Sequence, residues 1–208
     1  MSLSSNMKIK DCLLEVTNIK ISVKLPFIVS LEFVEDHCKS LQSVNTSIFC
    51  SRKKPNILTI RYQNFTYILF KSSSKSRPAS SSQHCNITKL KSESDILQAI
   101  EYLFFLLDQP PFVLNYSIDN YSCCGDIFKK VDISSLYIRE SEIACDYHEE
   151  NFPAVTIYCP QELKEVSRNL CCFVYRTGRV VLVGGKKLQE VVDFFSLVID
   201  IVKPYTLS

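Results

Sequence analysis

The chain has 208 residues, 46% apolar and 22% charged, with four Gly and no Trp. This is an ordinary globular composition, and the length suffices for a sizeable core. The net charge is only +2 but uneven: fourteen Lys/Arg against nine Asp/Glu through Pro110, then ten against thirteen. A polyanion would therefore be held more strongly by the first half. No apolar run reaches the roughly 18 residues of a membrane span. Met1-Ser-Leu-Ser-Ser-Asn does not read as a signal peptide. The ten Cys are adjacent pairs (Cys123-Cys124, Cys171-Cys172) or scattered, and the three His are isolated. Zinc ligation needs clustered ligands, so no metal site and a reducing compartment are expected.

In chain order, Cys12 to Val23 carries β-branched residues with partial alternation and predicts a strand. Leu31, Phe33, Val34, Cys38 and Leu41 predict a short helix over 30–41. Asn56–Ile60 and Asn64–Phe70 read as two strands joined by a turn. The stretch 71–84 holds seven Ser, Lys71, Lys75 and Arg77, and no acid, which predicts a flexible loop. Cys85 to Thr88 reads as a strand. Ser92, with Asp95 three residues on, is a helix-start signature. The helix behind it, Ile96 to Leu107, is apolar nearly all round and ends at Asp108-Gln-Pro-Pro111. The order then repeats: a strand over Val113–Cys123, a short helix over Ile133–Ile138, strands over Phe152–Cys159, Cys171–Tyr175 and Arg179–Val183, and a helix over Lys187–Val202. Two copies of one unit predict a pseudo-symmetric single domain. Helices on one face of an antiparallel sheet would leave the other face for binding.

Three segments carry a family resemblance. They are Tyr147-His-Glu-Glu-Asn-Phe-Pro-Ala154, Thr177-Gly-Arg-Val-Val-Leu-Val-Gly-Gly-Lys186 and Thr88-Lys-Leu-Lys-Ser-Glu-Ser-Asp95. Together and in this order they resemble the TATA-box-binding protein family, over roughly Leu14 to Val202. The resemblance implies an α+β saddle: a curved antiparallel sheet with helices on the convex face. A short N-terminal extension over 1–12 would precede repeats over 13–110 and 111–208, the first carrying the insertion 71–84, the two forming one structural domain. It also implies binding to the DNA minor groove with apolar wedges, a mode that belongs to the family and is not read from these residues.

On that resemblance the wedges fall at Pro55, Phe70, Phe152 and Tyr175, with Pro153 beside Phe152. Pro55 departs from the family's Phe. The central polar pair falls at Asn18 and Asn120, whose amides can donate to the acceptors that A·T and T·A share in the minor groove. Groove-facing positions fall at Thr88, Val181, Val183, Ile68 and Phe173. Val183 replaces a Thr, Asn86 a Val, Phe173 a Leu, and Lys20 and Ser122 replace Vals. Phosphate contacts map to Arg61, Arg179, Lys91 and Lys186, beside Lys53 and Lys54, while Tyr158 stands at a family Arg position. Glu150 keeps one of two glutamates that would meet transcription factor IIB, and His148 replaces the other; transcription factor IIA or an equivalent would be a second partner. The expectation is a nuclear general initiation factor on A/T-rich promoter DNA, with no cofactor, membrane or small-molecule substrate. The competing reading is an adaptor of the same fold with weak or relaxed DNA specificity. An enzyme would need a nucleophile or base with a positioned partner, and the sequence offers none.

Overall fold

The structure is a computed structural model, and it describes residues 6–72, 82–112, 114–139 and 144–207. The elements in chain order begin with β1 (Asn6–Ile9), β2 (Cys12–Leu25), α1 (Leu31–Gln42), β3 (Phe49–Lys54), β4 (Ile57–Tyr62), β5 (Phe65–Phe70), β6 (Gln83–Leu90) and α2 (Glu93–Leu107). They continue with β7 (Tyr116–Asp126), α3 (Ile133–Arg139), β8 (Cys145–Asp146), β9 (Ala154–Tyr158), β10 (Cys171–Tyr175), β11 (Arg179–Gly185) and α4 (Leu188–Val202). From β2 to α2, and again from β7 to α4, the order is strand, helix, four strands, helix. Every sheet pairing with a described register is antiparallel, and the class is α+β as expected.

The chain forms two compact units, one of Ile19–Ile118 and one of the residues up to Asn18 together with Asp119 onward. β2 changes phase at this division. It buries Cys12, Leu14 and Val16, leaves Thr17 and Asn18 both half-buried, then buries Ile19, Ile21, Val23 and Leu25.

In the first unit the strand order is β3-β4-β5-β6-β2. Period-2 alternation puts Leu58, Ile60, Tyr67, Leu69, Cys85 and Ile87 on one buried face. Leu31, Val34 and Cys38 of α1 and Ile96, Ala99, Leu103, Phe104, Leu106 and Leu107 of α2 are the buried helical residues. The Tyr67 hydroxyl, inside this core, donates to the Ala99 carbonyl at 3.1 Å. Ser92 caps α2 as expected, accepting from Asp95 N at 3.2 Å, and Asp108 ends it in the left-handed conformation (φ 52°).

In the second unit β1 pairs β2, and the order continues β2-β7-β11-β10-β9-β8. α4 buries Val191, Phe194, Phe195, Val198, Ile199 and Val202 at helical spacing. Phe195 lies so close to the sheet that a Cβ on Gly125 would stand 2.8 Å from its ring.

Several boundaries differ from the sequence reading. Strand β3 is absent from it, because Phe49-Cys-Ser-Arg-Lys-Lys54 is a polar edge strand without a strong alternation. The short β1 and the two-residue β8 are also additional. The expected loop 71–84 gives up Gln83 and His84 to β6, and its residues 73–81, with Lys75 and Arg77, lie outside the described residues. The strand expected over Val113–Cys123 starts at Tyr116, Val113 lying outside the described residues, and runs to Asp126. The strand expected from Phe152 begins at Ala154, since Pro153 has no N–H for a ladder.

Candidate nucleic-acid interface

Because alternate residues go to the helices, the remaining ones fall on the opposite face of each unit's sheet. Register arranges them in rows. In the first unit Ile57 pairs Phe70, Thr59 pairs Ile68, Ile68 pairs Asn86, and Asn86 pairs Ser22; Arg61 pairs Thr66, which pairs Thr88. In the second unit Ala154 pairs Tyr175, Thr156 pairs Phe173, Phe173 pairs Val181, and Val181 pairs Cys124; Tyr158 pairs Cys171, which pairs Val183. The two sets correspond residue for residue. Phe70 corresponds to Tyr175, Asn86 to Val181, Ser22 to Cys124, and, four residues before those last two, Asn18 to Asn120.

Both sets end in the same irregularity. The β2–β6 register slips between Ile19↔Leu90 and Ile21↔Ile87, and the β7–β11 register between Leu182↔Cys123 and Gly185↔Tyr121. Each slip holds one residue at positive φ, Lys89 at 70° and Gly184 at 91°. The Gly184 N–H donates to Asn120 Oδ1 at 2.7 Å, and Asn120 Nδ2 donates to Ser122 Oγ at 2.9 Å. The amide oxygen is thus committed to the bulge. The NH2 gives one hydrogen to Ser122, and a second remains for an acceptor. Asn18 is half-buried on β2.

The ends of the two faces differ. In the second unit Phe152 is 37% exposed on a turn, its N–H bonded to the His148 carbonyl at 2.9 Å. Its ring meets Phe173 edge-on at 5.3 Å and Tyr175 at 6.1 Å, and Pro153 follows it at the surface. His148 and Glu150 are exposed on the same turn.

In the first unit the corresponding turn carries exposed Pro55. Arg52 braces it, donating from Nη2 to the Pro55 carbonyl at 2.7 Å and from the same nitrogen to Glu32 at 2.7 Å. The hydrogen bond from Arg52 pulls the Glu32 carboxyl down to about 2. Where the second unit has the Phe152 ring, this unit has a hollow of about 620 Å³ lined by Phe49, Lys53, Lys54, Arg61, Ile68 and Phe70, among others. The Arg61 guanidinium lies 5.8 Å from the Phe49 ring centre.

Charge follows the same asymmetry. Lys53, Lys54, Arg61 and Lys91 are exposed in the first unit. Arg179 and Lys186 are exposed in the second. There Tyr158, at the register position that corresponds to Arg61, donates to Asp146 Oδ2 at 2.8 Å, and that bond holds its hydroxyl above the usual tyrosine range. Sequence reasoning missed Phe49, Arg52 and Asp146. Phe49 lies on an edge strand whose weak alternation gave no signal; Arg52 and Asp146 act through contacts that no local pattern encodes.

The family model "Transcription factor TFIID (or TATA-binding protein, TBP)" matches residues 115–205. Among curated proteins none matches the sequence. Among solved structures, Methanococcus jannaschii TBP is similar in fold, with a TM-score of 0.67 at 16% identity, covering 92% of this chain and 98% of that one. The second half thus matches the TATA-binding protein family model, and the fold over nearly the whole chain is similar to that of a TATA-binding protein.

Proposed function

We propose that the protein is a general transcription initiation factor that binds the minor groove of A/T-rich promoter DNA, kinks it with apolar wedges and nucleates the preinitiation complex in the nucleus. The observation that carries this is the repeated open face. Two sets of side chains in one register end in a ring pair or ring-lined hollow, and each unit has a cationic margin. Such a face suits a groove: rows of apolar and small polar side chains for its floor, amide donors at Asn18 and Asn120 for base acceptors, and Arg61, Arg179, Lys91 and Lys186 for phosphates. Phe152 and Phe70 are the leading wedges, with Tyr175, Pro55 and Pro153 beside them. Thr88, Val181, Val183, Ile68 and Phe173 line the groove, and Glu150 with His148 meets a factor IIB-like partner. The role is non-catalytic.

Selection from random duplex DNA, followed by bend measurement with end-labelled fluorophores, tests this reading. We expect recovered sites rich in A·T and a bend that falls when Phe70 and Phe152 both become Ala. Recovery of no duplex, or an unchanged bend in the double variant, overturns it. A second reading, an adaptor that touches DNA weakly, is favoured by the Tyr158–Asp146 pair. That pair puts a carboxylate where the family has a cation.

A further inference from the structure

The corresponding rows of the two open faces differ most at their centre. In the second unit Phe173, Val181 and Cys124 follow one another across three strands; in the first, the same places hold Ile68, Asn86 and Ser22. Ser22 Oγ donates to Asn86 Oδ1 at 2.9 Å, so the amide is oriented by its neighbour. Both side chains are half-buried on the face away from the helices.

We propose that Asn86 makes the first unit tolerant of a G·C pair that the second unit rejects, with Ser22 as the positioning residue. This rests on the minor-groove reading above.

The chemistry is that of the groove. A·T and T·A pairs present only acceptors there, whereas G·C adds the guanine N2 amino donor. Against Val181 and Phe173 that amino group would be buried with nothing to accept its hydrogen, which is the costly case for a polar group. Asn86 offers both kinds of partner. Its Oδ1 has two lone pairs, one taken by Ser22, and can accept from guanine N2. Its NH2 can donate to cytosine O2, or to the acceptors of an A·T pair. The amide side chain therefore satisfies either pair, and Val181 satisfies only one.

The test scans one G·C pair through an otherwise A·T duplex bound by the full chain. A dye at one end reports which half of the site each unit covers. Each position is scored as affinity relative to the all-A·T duplex. We expect the G·C pair to cost under about threefold in the half under the first unit and about tenfold or more in the other, the range of one base-edge contact. Asn86→Val should bring the first half to the penalty of the second, and Val181→Asn should relieve the second. Both substitutions lie on a strand surface, and thermal melting checks that each variant folds. Ser22→Ala should raise the first-half penalty part of the way. Equal penalties in both halves of the wild type overturn the proposal while leaving A/T binding intact. So does an Asn86→Val profile identical to the wild type. Loss of binding to every duplex overturns the minor-groove reading itself, and the proposal with it.

Discussion

Lys89 and Gly184 hold one backbone conformation with unlike side chains. Both sit in a register slip at positive φ, where a residue with a Cβ is strained by about 1–2 kcal/mol and glycine is not. Lys89→Gly is therefore expected to stabilise the chain by about 0.5–1 kcal/mol, after the greater freedom of glycine in the unfolded state is subtracted. That is a rise in melting temperature of roughly 1–4 °C for a chain this long. Gly184→Ala should do the opposite and by more, at least about 2 kcal/mol, because its Cβ would stand 2.1 Å from the Asn169 carbonyl oxygen, a backbone atom. Paired thermal melts decide it; a destabilised Lys89→Gly would refute the strain argument. Asn120 was visible in the sequence through its correspondence with Asn18. Its bond to Gly184 was not, because it closes across 64 residues and depends on a bulge that composition does not announce.

At the scale of elements, α1 is tied to the turn after β3 by Arg52, which reaches Glu32, Glu35 and the Pro55 carbonyl. Glu32 is held at about 2, below the ordinary carboxylate value of roughly 4.3. A depressed carboxylate stabilises the folded chain above its unfolded value and loses that contribution as pH falls through the folded value. The window thus runs from roughly pH 4.3 down to about 2. Urea midpoints across that window should fall more steeply in the wild type than in Glu32→Gln; parallel curves would show that the pair adds nothing. The effect is small because the carboxylate is exposed to solvent. Elements with strong periodicity or capping residues were readable in advance. α2 starts at its Ser92 cap, and α4 follows its apolar spacing within a residue or two. β3 and β8 were not, since an edge strand buries little and its polar residues serve to discourage further pairing. The candidate wedges Phe152 and Phe70 were readable as positions. The hollow in place of a ring beside Pro55 required the register of three strands.

For the whole molecule, a net charge of +2 is low for a duplex-binding protein, and the cations are unevenly divided. The stretch 71–84 follows candidate wedge Phe70 and carries Lys71, Lys75 and Arg77 without an acid. Replacing those three by Ser should flatten the slope of log affinity against log salt by roughly two to three, at about 0.9 per phosphate neutralised. Affinity should fall alike for all sequences, because phosphate contacts carry no base information. An unaltered slope would mark the stretch as an insertion with no part in binding. The unlike centres and ends of the two faces have one more consequence. A protein with two identical halves would sit on a run of A·T pairs equally well facing either way. Here the first unit presents Asn86 and the hollow where the second presents Val181 and the Phe152 ring, so the two units are not interchangeable on such a run. Each 1.4 kcal/mol of difference between the two settings favours one of them tenfold. On the proposed function, the divergence between repeats gives the bound complex a heading, and with it a direction in which a gene is read.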